Sequence, residues 1–309
     1  MTAEIVVVGS LNMDMVVNVS KRPEWGETIM GKGFFTGNGG KGGNQAYAAA
    51  KLGVSVAMLG LVGDDIFGEQ LLKGLSEVGV DTKYIEKVSD VSSGVAVISV
   101  NTEGENSIIV SPGANDHVTP EYVKKYEHVI RDAKLVMLQL EIPLEAVIET
   151  VNIAHTYNVP VMLDPAPAQK LPDELYKKIT FLVPNESELG IITGTKILNI
   201  ESAKAASAGL LKKGVGTVFA KLGSKGVVVS RKSETFTVEA RKVTAVDTTA
   251  AGDAFAGALA TALVSGKSLQ EATEFANIVG ALTVTKKGAQ TSMPTLKETI
   301  TVLQGHKEV

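Results

Sequence analysis

The chain has 309 residues, of which 44% are hydrophobic, so it can bury a substantial core in one large or two medium domains. Its 30 basic and 34 acidic residues leave a net charge of −4 with no basic run, which argues against a nucleic-acid partner. There is no cysteine, which excludes disulfides, thiolate nucleophiles and cysteine metal sites. Neither a signal segment nor a stretch of membrane-spanning length is visible, so the sequence predicts a cytoplasmic protein with no membrane partner.

Apolar runs of strand length alternate with helical patterns along most of the chain. The predicted strands are bounded by Gly, Asp or Pro and cover residues 5–9, 54–62, 135–140, 159–163, 181–183, 215–222 and 227–230. The predicted helices cover residues 46–52, 67–78, 143–155, 203–213 and 254–263. This alternation indicates a doubly wound α/β fold, in which a mainly parallel sheet carries helices on both faces.

Two segments interrupt the alternation, at about residues 15–38 and 94–110. They contain strand patterns with no helix between them, such as the alternation of Val95 and Val97. We expect them to form a small β-sheet that stands off the main body and acts as a lid. Because no repeat or Pro/Ser-rich linker is visible, the sequence predicts a single α/β domain over residues 1–309, with the lid strands inserted.

The segment Asp247-Thr-Thr-Ala-Ala-Gly-Asp253 is a turn of small residues that leads into a helix predicted to begin near Ala250. Small side chains let the backbone N–H groups of Ala250, Ala251 and Gly252 approach an anion, and the helix dipole adds about half a positive charge. Such an anion hole would stabilise a phosphate in transfer. Asp253 could then accept the proton of an attacking hydroxyl. Alternatively, Asp253 only complements the helix dipole.

Residues 37–45 are rich in glycine and directly precede the predicted helix at 46–52. Their density indicates a backbone that approaches a ligand closely or acts as a hinge, because glycine costs entropy that an ordinary loop avoids. Gly37-x-Gly39-x-x-Gly42 also matches a dinucleotide fingerprint, with Asp64 near the acidic position, but it does not follow the first predicted strand. No Walker A loop is present, because Thr261 occupies the first glycine position before Gly266-Lys267-Ser268.

Polar side chains follow several predicted strands at the point where each strand ends. They are Asn12, Asp14, Glu141, Asp164, Asn185 and Glu188. Because the carboxyl ends of parallel strands line the ligand crevice of an α/β sheet, these side chains could converge on one site. Alternatively, each is only a turn or capping residue. Gly223-Ser-Lys-Gly226 joins two predicted strands as a tight turn, and it could lie against a nucleotide.

Taken together, these segments resemble the ribokinase family of sugar kinases over nearly the whole chain. The resemblance is carried by Gly9-Ser-Leu-Asn12-Met-Asp14, Gly39-Gly-Lys-Gly-Gly-Asn44-Gln45, Gln139-Leu-Glu141, Pro184-Asn185-Glu-Ser-Glu188, Leu222-Gly-Ser-Lys-Gly226, residues 247–253 and Lys287-Gly-Ala-Gln290. The glycine-rich segment and residues 247–253 are signatures of that family. The resemblance implies transfer of the ATP γ-phosphoryl group to the 5-hydroxyl of D-ribose, with Asp253 as the general base.

The resemblance also implies the binding residues. The sugar would be held by Asn12, Asp14, Gly40, Lys41, Gly42, Gly43, Asn44, Glu141 and Asp253. ATP would contact Asn185, Glu188, Lys221, Leu222, Gly223, Ser224, Lys225, Gly226, Gly252, Asp253 and Asn277, and Glu188 would organise Mg²⁺ through water. K⁺ would bind beside the anion hole, at Asp247, Thr249, Thr283, Lys286, Gly288 and Ser292. Similar kinases are often homodimers whose lids interlock. Lys221 departs from the family pattern, which usually has threonine there.

Three alternatives stay open. The chain could phosphorylate another substrate of the same family, as a deoxyribokinase, fructokinase or nucleoside kinase. It could be a sugar-binding regulator that has lost catalysis, although the intact Asp253 and glycine turn count against this. It could also be the dinucleotide oxidoreductase that the glycine fingerprint suggests.

Overall fold

The computed structural model describes residues 3–304, which contain thirteen β-strands and eleven α-helices. In chain order the strands are β1 (Ile5–Val8), β2 (Asn12–Asn18), β3 (Lys32–Gly39), β4 (Val56–Gly63), β5 (Ile85–Val88), β6 (Gly94–Val100), β7 (Asn106–Ser111), β8 (Leu135–Leu138), β9 (Val161–Leu163), β10 (Phe181–Leu182), β11 (Thr217–Lys221), β12 (Val227–Arg231) and β13 (Glu234–Val238). The helices are α1 (Lys41–Lys51), α2 (Ile66–Glu77), α3 (Pro120–Lys125), α4 (Glu127–Arg131), α5 (Leu144–Thr156), α6 (Asp173–Tyr176), α7 (Glu186–Thr193), α8 (Ile200–Lys212), α9 (Ala251–Val264), α10 (Leu269–Thr283) and α11 (Leu296–Gln304). None of the helices between residues 3 and 304 combines the length and the apolar character that a bilayer span requires.

Nine strands form the main sheet, in the order β13-β12-β11-β10-β9-β8-β1-β4-β5. Neighbouring strands from β11 to β5 pair in parallel. The pairs β11–β12 and β12–β13 are antiparallel, so residues 223–226 form the tight turn that the sequence predicts. The predicted α/β fold with a mainly parallel sheet is therefore confirmed.

Separate helix layers cover the two faces of the main sheet. Because alternate residues of a strand point to opposite faces, Val6 and Val8 of β1 pack with α3, α4, α5, α7 and α8. Ile5 and Val7 pack instead with α1, α2, α9 and α10. All four residues are fully buried. A central parallel strand is therefore an uninterrupted apolar run in the sequence rather than an alternating one.

The segments that interrupt the strand-helix alternation form a second, smaller sheet, in the order β3-β2-β6-β7. Its strand β2 pairs antiparallel with β3 and parallel with β6, and it begins at Asn12, slightly before the predicted region. Large apolar side chains of this sheet are exposed, namely Phe34, Phe35, Val97, Ile108, Ile109 and Val110. The smaller sheet therefore presents an apolar surface to solvent.

Helix α1 begins at Lys41, five residues before the predicted start. The sequence does not indicate this first turn because it is rich in glycine, which is unfavourable in a helix. A β-carbon at Gly42 would lie 2.7 Å from the carbonyl carbon of Gly9, so only glycine allows this close approach of α1 to β1. The sequence did not predict the strands β5 and β13 or the helices α3, α4, α6, α7, α10 and α11. For α10 a signal was available in the helical spacing of its apolar residues, which are Ala272, Phe275, Ala276 and Val279.

Candidate active site

Polar residues converge where the carboxyl ends of adjacent main-sheet strands meet. Ser10 follows β1, Gln139 follows β8, Asp164 follows β9, and Lys221 is the last residue of β11. Helices α1 and α9 also begin at this edge of the sheet. Their first turns are in contact, since α1 side chains donate hydrogen bonds to Asp253 of α9. This edge is the usual position of a ligand crevice in an α/β fold.

Asp253 lies in the first turn of α9 and is only 6% exposed. Its Oδ2 accepts a hydrogen bond from Asn44 Nδ2 at 2.9 Å, and its Oδ1 accepts one from Gln45 Nε2 at 3.3 Å. Burial raises the pKa of Asp253 to about 6, although the nearby Lys41 ammonium acts in the opposite direction. The carboxylate is thus held in one orientation and titrates near neutral pH, as a general base requires.

Helix α9 begins without a side-chain cap, at Ala250 with a left-handed φ of 57°. Side chains cap α2, α7, α8 and α10 instead. Within residues 3–304, the N–H groups of Ala250, Gly252 and Asp253 have no acceptor, whereas Ala251 donates to the Thr248 carbonyl at 3.3 Å. Two of the three predicted anion-hole residues therefore keep a free donor. The Asp253 N–H is a further donor that was not predicted.

Asn12, Asp14 and Glu141, which were predicted to hold a sugar, lie at the start of β2 and just after β8. Asn12 is 2% exposed, and its Oδ1 accepts a hydrogen bond from Asn115 Nδ2 at 2.7 Å. The Asp14 carboxylate lies so close to Gly39 that a side chain at position 39 would overlap it. Glu141 Oε2 accepts from the Ser10 hydroxyl at 2.5 Å and the Lys41 backbone N–H at 3.0 Å.

The acidic groups of the site are near enough to change one another's ionisation. Burial, followed by repulsion from Glu141 and Asp253, raises the pKa of Asp14 to about 7. Lys41 is surrounded by these groups, and attraction chiefly to Asp253, then to Glu141 and Asp164, raises the pKa of its ammonium. The N-cap of its helix, Gly40, has a φ of 81°, and Gly42, Gly43 and Asn44 are buried in the first two turns. The Lys41 ammonium therefore interacts with Asp14, Glu141 and Asp253 together.

Three buried amides belong to the site although they were not predicted. Gln139 Nε2 donates to Gln45 Oε1 at 2.7 Å, so the amide nitrogen of Gln45 faces Asp164, at 2.9 Å, and Asp253. Asn115 bonds both to Asn12 and to the backbone of Leu11. Gln45 and Gln139 adjoin residues that the motifs had selected. No pattern marks Asn115, which is 103 residues from Asn12.

Asn185 and Glu188 cap helix α7 reciprocally. Glu188 Oε2 accepts from the Asn185 backbone N–H at 2.7 Å, and Asn185 Oδ1 accepts from the Glu188 N–H at 2.8 Å. Burial and then the charge of Asp164 raise the pKa of Glu188. The capping alternative therefore holds for this pair, and it fixes the Glu188 carboxylate near Asp164.

The other residues predicted to contact a nucleotide lie along β11, its hairpin turn and α10. Lys221 extends to Asp164, with its Nζ 3.1 Å from Oδ1. Leu222 and Gly226 are buried, and between them Gly223, Ser224 and Lys225 form an exposed turn. Asn277 lies on α10 and donates to the Glu239 carbonyl at 3.1 Å. The Lys221 side chain therefore points toward Asp164, whereas residues 223–225 are exposed to solvent.

The residues predicted to hold a monovalent cation lie on the loops before α9 and after α10. Asp247 accepts hydrogen bonds at 2.9 Å from the backbone N–H groups of Thr249 and Gly288. Burial favours a higher pKa for Asp247, but these hydrogen bonds outweigh it and the pKa is lowered. Thr283 and Ser292 are buried. The Lys286 ammonium instead pairs with Glu298 at 2.9 Å, which leaves its backbone carbonyl as the group that could bind a cation.

Comparison with known proteins identifies the family. The profile of the pfkB family of carbohydrate kinases matches residues 2–296. This chain belongs to the pfkB family of carbohydrate kinases. The pfkB kinase is similar to the ribokinase of Haemophilus influenzae, at 42% identity over 304 residues that cover 98% of this chain and 99% of the relative. It is also similar to the deoxyribokinase of Salmonella typhi, at 39% identity over 296 residues that cover 96% and 97%.

A solved structure gives the same result for the fold. The structure of Arabidopsis thaliana ribokinase complexed with ribose and ATP is 37% identical to this pfkB kinase, with a TM-score of 0.93. The match covers 98% of this chain and 99% of that chain. The resemblance inferred from the sequence motifs is therefore confirmed, and the protein is an ATP-dependent sugar kinase.

The oxidoreductase alternative is wrong for this pfkB kinase. Gly37 and Gly39 of the fingerprint lie in β3 of the smaller sheet, Gly42 lies in α1, and Asp64 pairs with Lys87 at 2.9 Å. A dinucleotide fold instead needs these glycines in the turn after the first strand of a βαβ unit.

Proposed function

We propose that this pfkB kinase transfers the γ-phosphoryl group of ATP to the 5-hydroxyl of D-ribose and produces D-ribose 5-phosphate. The observation that carries the proposal is the Asp253 carboxylate, which is buried and held by two amides at the uncapped start of α9. Relatives named ribokinase and a neighbour solved with ribose and ATP support this pair of substrates.

In this proposal Asp253 is the general base. The hydroxyl oxygen of the sugar forms a bond to the γ-phosphorus of ATP. The bond between that phosphorus and the β,γ-bridging oxygen breaks, and ADP leaves with the electron pair. The hydroxyl proton passes to Asp253. The free N–H groups of Ala250, Gly252 and Asp253 donate to the phosphoryl oxygens, while Ala251 maintains the turn through Thr248.

The sugar would lie between the start of β2 and the start of α1. Asn115 holds the Asn12 oxygen, while Asn12 Nδ2 has no partner in the described part of the chain and is free to donate to a sugar hydroxyl. In this proposal Asp14 and Glu141 accept hydrogen bonds from further hydroxyl groups of the sugar. The smaller sheet acts as a lid, with Gly40 as its hinge, because β3 passes into α1 at that residue.

The chain offers a fitting partner for Mg²⁺ in Glu188, whose two oxygens accept hydrogen bonds from Asn185 and keep further lone pairs. Between residues 3 and 304 no three His, Cys, Asp or Glu side chains form a metal-binding cluster. Glu188 therefore fits a contact through water, because Mg²⁺ beside ATP takes most of its ligands from phosphate and water. Bound Mg²⁺ would supply positive charge that neutralises the triphosphate.

The two loops around Asp247 fit a monovalent cation such as K⁺. The Asp247 carboxylate is fixed by two backbone N–H groups, and its lowered pKa keeps it ionised. The remaining residues of the set would offer neutral hydroxyl or backbone carbonyl oxygens to the cation. They are Thr249, Thr283, Lys286, Gly288 and Ser292. Bound K⁺ would add positive charge beside the turn that opens α9. Asp247 would hold both loops in position for it.

We also infer a homodimer formed through the smaller sheet. Its edge strands are β3 and β7, and they expose Phe34 by 65% and Ile109 by 70%. Apolar side chains and unpaired edges together favour association with another sheet. A second copy of this chain presents the same surface, so a two-fold contact would cover both.

The test is an ADP-release assay with ATP, Mg²⁺, K⁺ and a panel of sugars. We expect kcat/KM for D-ribose to exceed that for 2-deoxy-D-ribose by at least about tenfold, because the deoxy sugar leaves Asn12 or Asp14 without a hydrogen-bond partner. Asn12→Met should narrow the gap. Preference for 2-deoxyribose would instead support the second candidate, deoxyribokinase, for which the 39% identical Salmonella typhi relative is the argument. Phosphorylation of fructose or a nucleoside alone would refute the ribose assignment.

A further inference from the structure

Lys221 ends β11 with its side chain directed into the active site. Its Nζ lies 3.1 Å from Asp164 Oδ1, and the two side chains are only 14% and 3% exposed. A β-carbon built on Gly252 would lie 3.5 Å from the same nitrogen. The ammonium is therefore beside the first turn of α9, where the described residues provide no acceptor for the Gly252 and Asp253 N–H groups.

Asp164 fixes the position of this ammonium and still leaves it able to bind a ligand. A lysine ammonium has three N–H donors, and Asp164 is its hydrogen-bond acceptor among residues 3–304. The other oxygen of Asp164 accepts from Gln45 Nε2, which also contacts Asp253. One buried network therefore sets the distance between the Lys221 ammonium and the proposed base.

The charge of the site also favours a ligand role for Lys221. Five carboxylates, those of Asp14, Glu141, Asp164, Glu188 and Asp253, act on Lys41 or on one another. A triphosphate that enters such surroundings needs positive charge aimed at its oxygens. A buried ion pair by itself is weak evidence for a stabilising role, because apolar residues of similar size often serve equally well.

We propose that Lys221 is a further catalytic residue, whose ammonium contacts the phosphate oxygens of ATP at the start of α9, and that Asp164 is its positioning residue. This inference rests on the proposed function, because it takes the α9 turn as the point of phosphoryl transfer. As the bond to the bridging oxygen breaks, Lys221 stabilises negative charge on the phosphate oxygens, while the sugar proton still passes to Asp253.

The first experiment compares Lys221→Met with Lys232→Met, an exposed lysine in the turn between β12 and β13. Lys221→Met should lower kcat by about 10²-fold, the usual effect of removing one transition-state donor. It should weaken ATP binding by about tenfold and leave adenosine binding unchanged, because adenosine has no phosphate. Lys232→Met should change none of these values. Equal weakening of ATP and adenosine, or an unchanged kcat, would overturn the proposal.

The second experiment separates catalysis from the balance of a buried charge. Lys221→Met leaves the Asp164 carboxylate without its partner, so the melting temperature without nucleotide should fall. The double variant Lys221→Met/Asp164→Asn should recover that temperature, because the amide is neutral and its oxygen can still accept from Gln45. Its kcat should stay low. Recovery of kcat to within about threefold of wild type would mean that Lys221 only balances Asp164.

The nucleotide measurements also distinguish this inference from the proposed function. If the wild-type protein phosphorylates no sugar, but Lys221→Met still weakens ATP and not adenosine, the phosphate contact stands and the proposed function fails. If the wild-type protein phosphorylates ribose and Lys221→Met does so equally well, the proposed function stands and the role of Lys221 is refuted.

Discussion

The pH dependence of catalysis tests the assignment of Asp253 most directly. A general base must be ionised, and the pKa of Asp253 is raised to about 6 by burial. Below that value the neutral acid predominates, so kcat/KM should fall as the pH is lowered. The ionised fraction is about 0.9 at pH 7 and about 0.1 at pH 5, which predicts a loss of about tenfold between these two values.

Two substitutions should shift this acid limb in opposite directions. Repulsion from Glu141 contributes to the raised pKa of Asp253, whereas the hydrogen bond from Asn44 lowers it. Glu141→Gln should therefore move the midpoint to lower pH, and Asn44→Leu should move it to higher pH. Both variants are expected to lose activity, but the midpoint of the profile does not depend on the absolute rate.

The assay is the initial rate of ADP release at several ribose concentrations between pH 5 and pH 8.5. Phosphate groups titrate in the same range, with a second pKa of about 6, so Asp253→Asn serves as the blank. Its rate should be lower by about 10²–10⁴-fold, because the amide cannot accept a proton. An acid limb that persists in Asp253→Asn would belong to the substrate or to Asp14, whose pKa is raised to about 7. That result, or midpoints that move in the same direction in both variants, would refute the reasoning.

Three further predictions concern the cation, the lid and the dimer. Activity should rise with K⁺ and fall when Na⁺ or Li⁺ replaces it, and equal rates in the three salts would rule out the site at Asp247. Gly40→Ala should lower kcat and raise the KM for ribose, because φ at Gly40 is 81° and the new β-carbon would lie 2.6 Å from the backbone nitrogen of Asn12. Unchanged hydrogen exchange at residues 15–38 and 94–110 on adding ribose would contradict lid closure. Ile109→Lys should convert a dimer to a monomer in analytical ultracentrifugation, and an unchanged sedimentation coefficient would argue against the contact through the smaller sheet.

The fold class and one central residue of the site could be predicted from the sequence, because both depend on short segments of the chain. The α/β fold was predictable because strand and helix periodicity are properties of short segments, and the buried run of β1 is an example. Asp253 could be selected because a turn of small residues, a helix start and an acidic residue occur within seven positions. The edge strands β5 and β13 lack such a signal, since the neighbouring strands decide whether they pair.

The composition of the site, in contrast, was decided by the order of strands in the sheet. Lys221 and Asp164 are 57 residues apart, and they meet because β9 and β11 flank β10. Asn115 lies in the short helical turn that follows β7, and it reaches Asn12 at the start of β2 across 103 residues. The start of α1 at Lys41 depends on its packing against β1, where Gly42 permits close approach. Sequence determined which chemical groups the chain carries. Tertiary structure decided which of them share a buried volume, because burial and mutual distance set the pKa of Asp253 and the partner of Lys221.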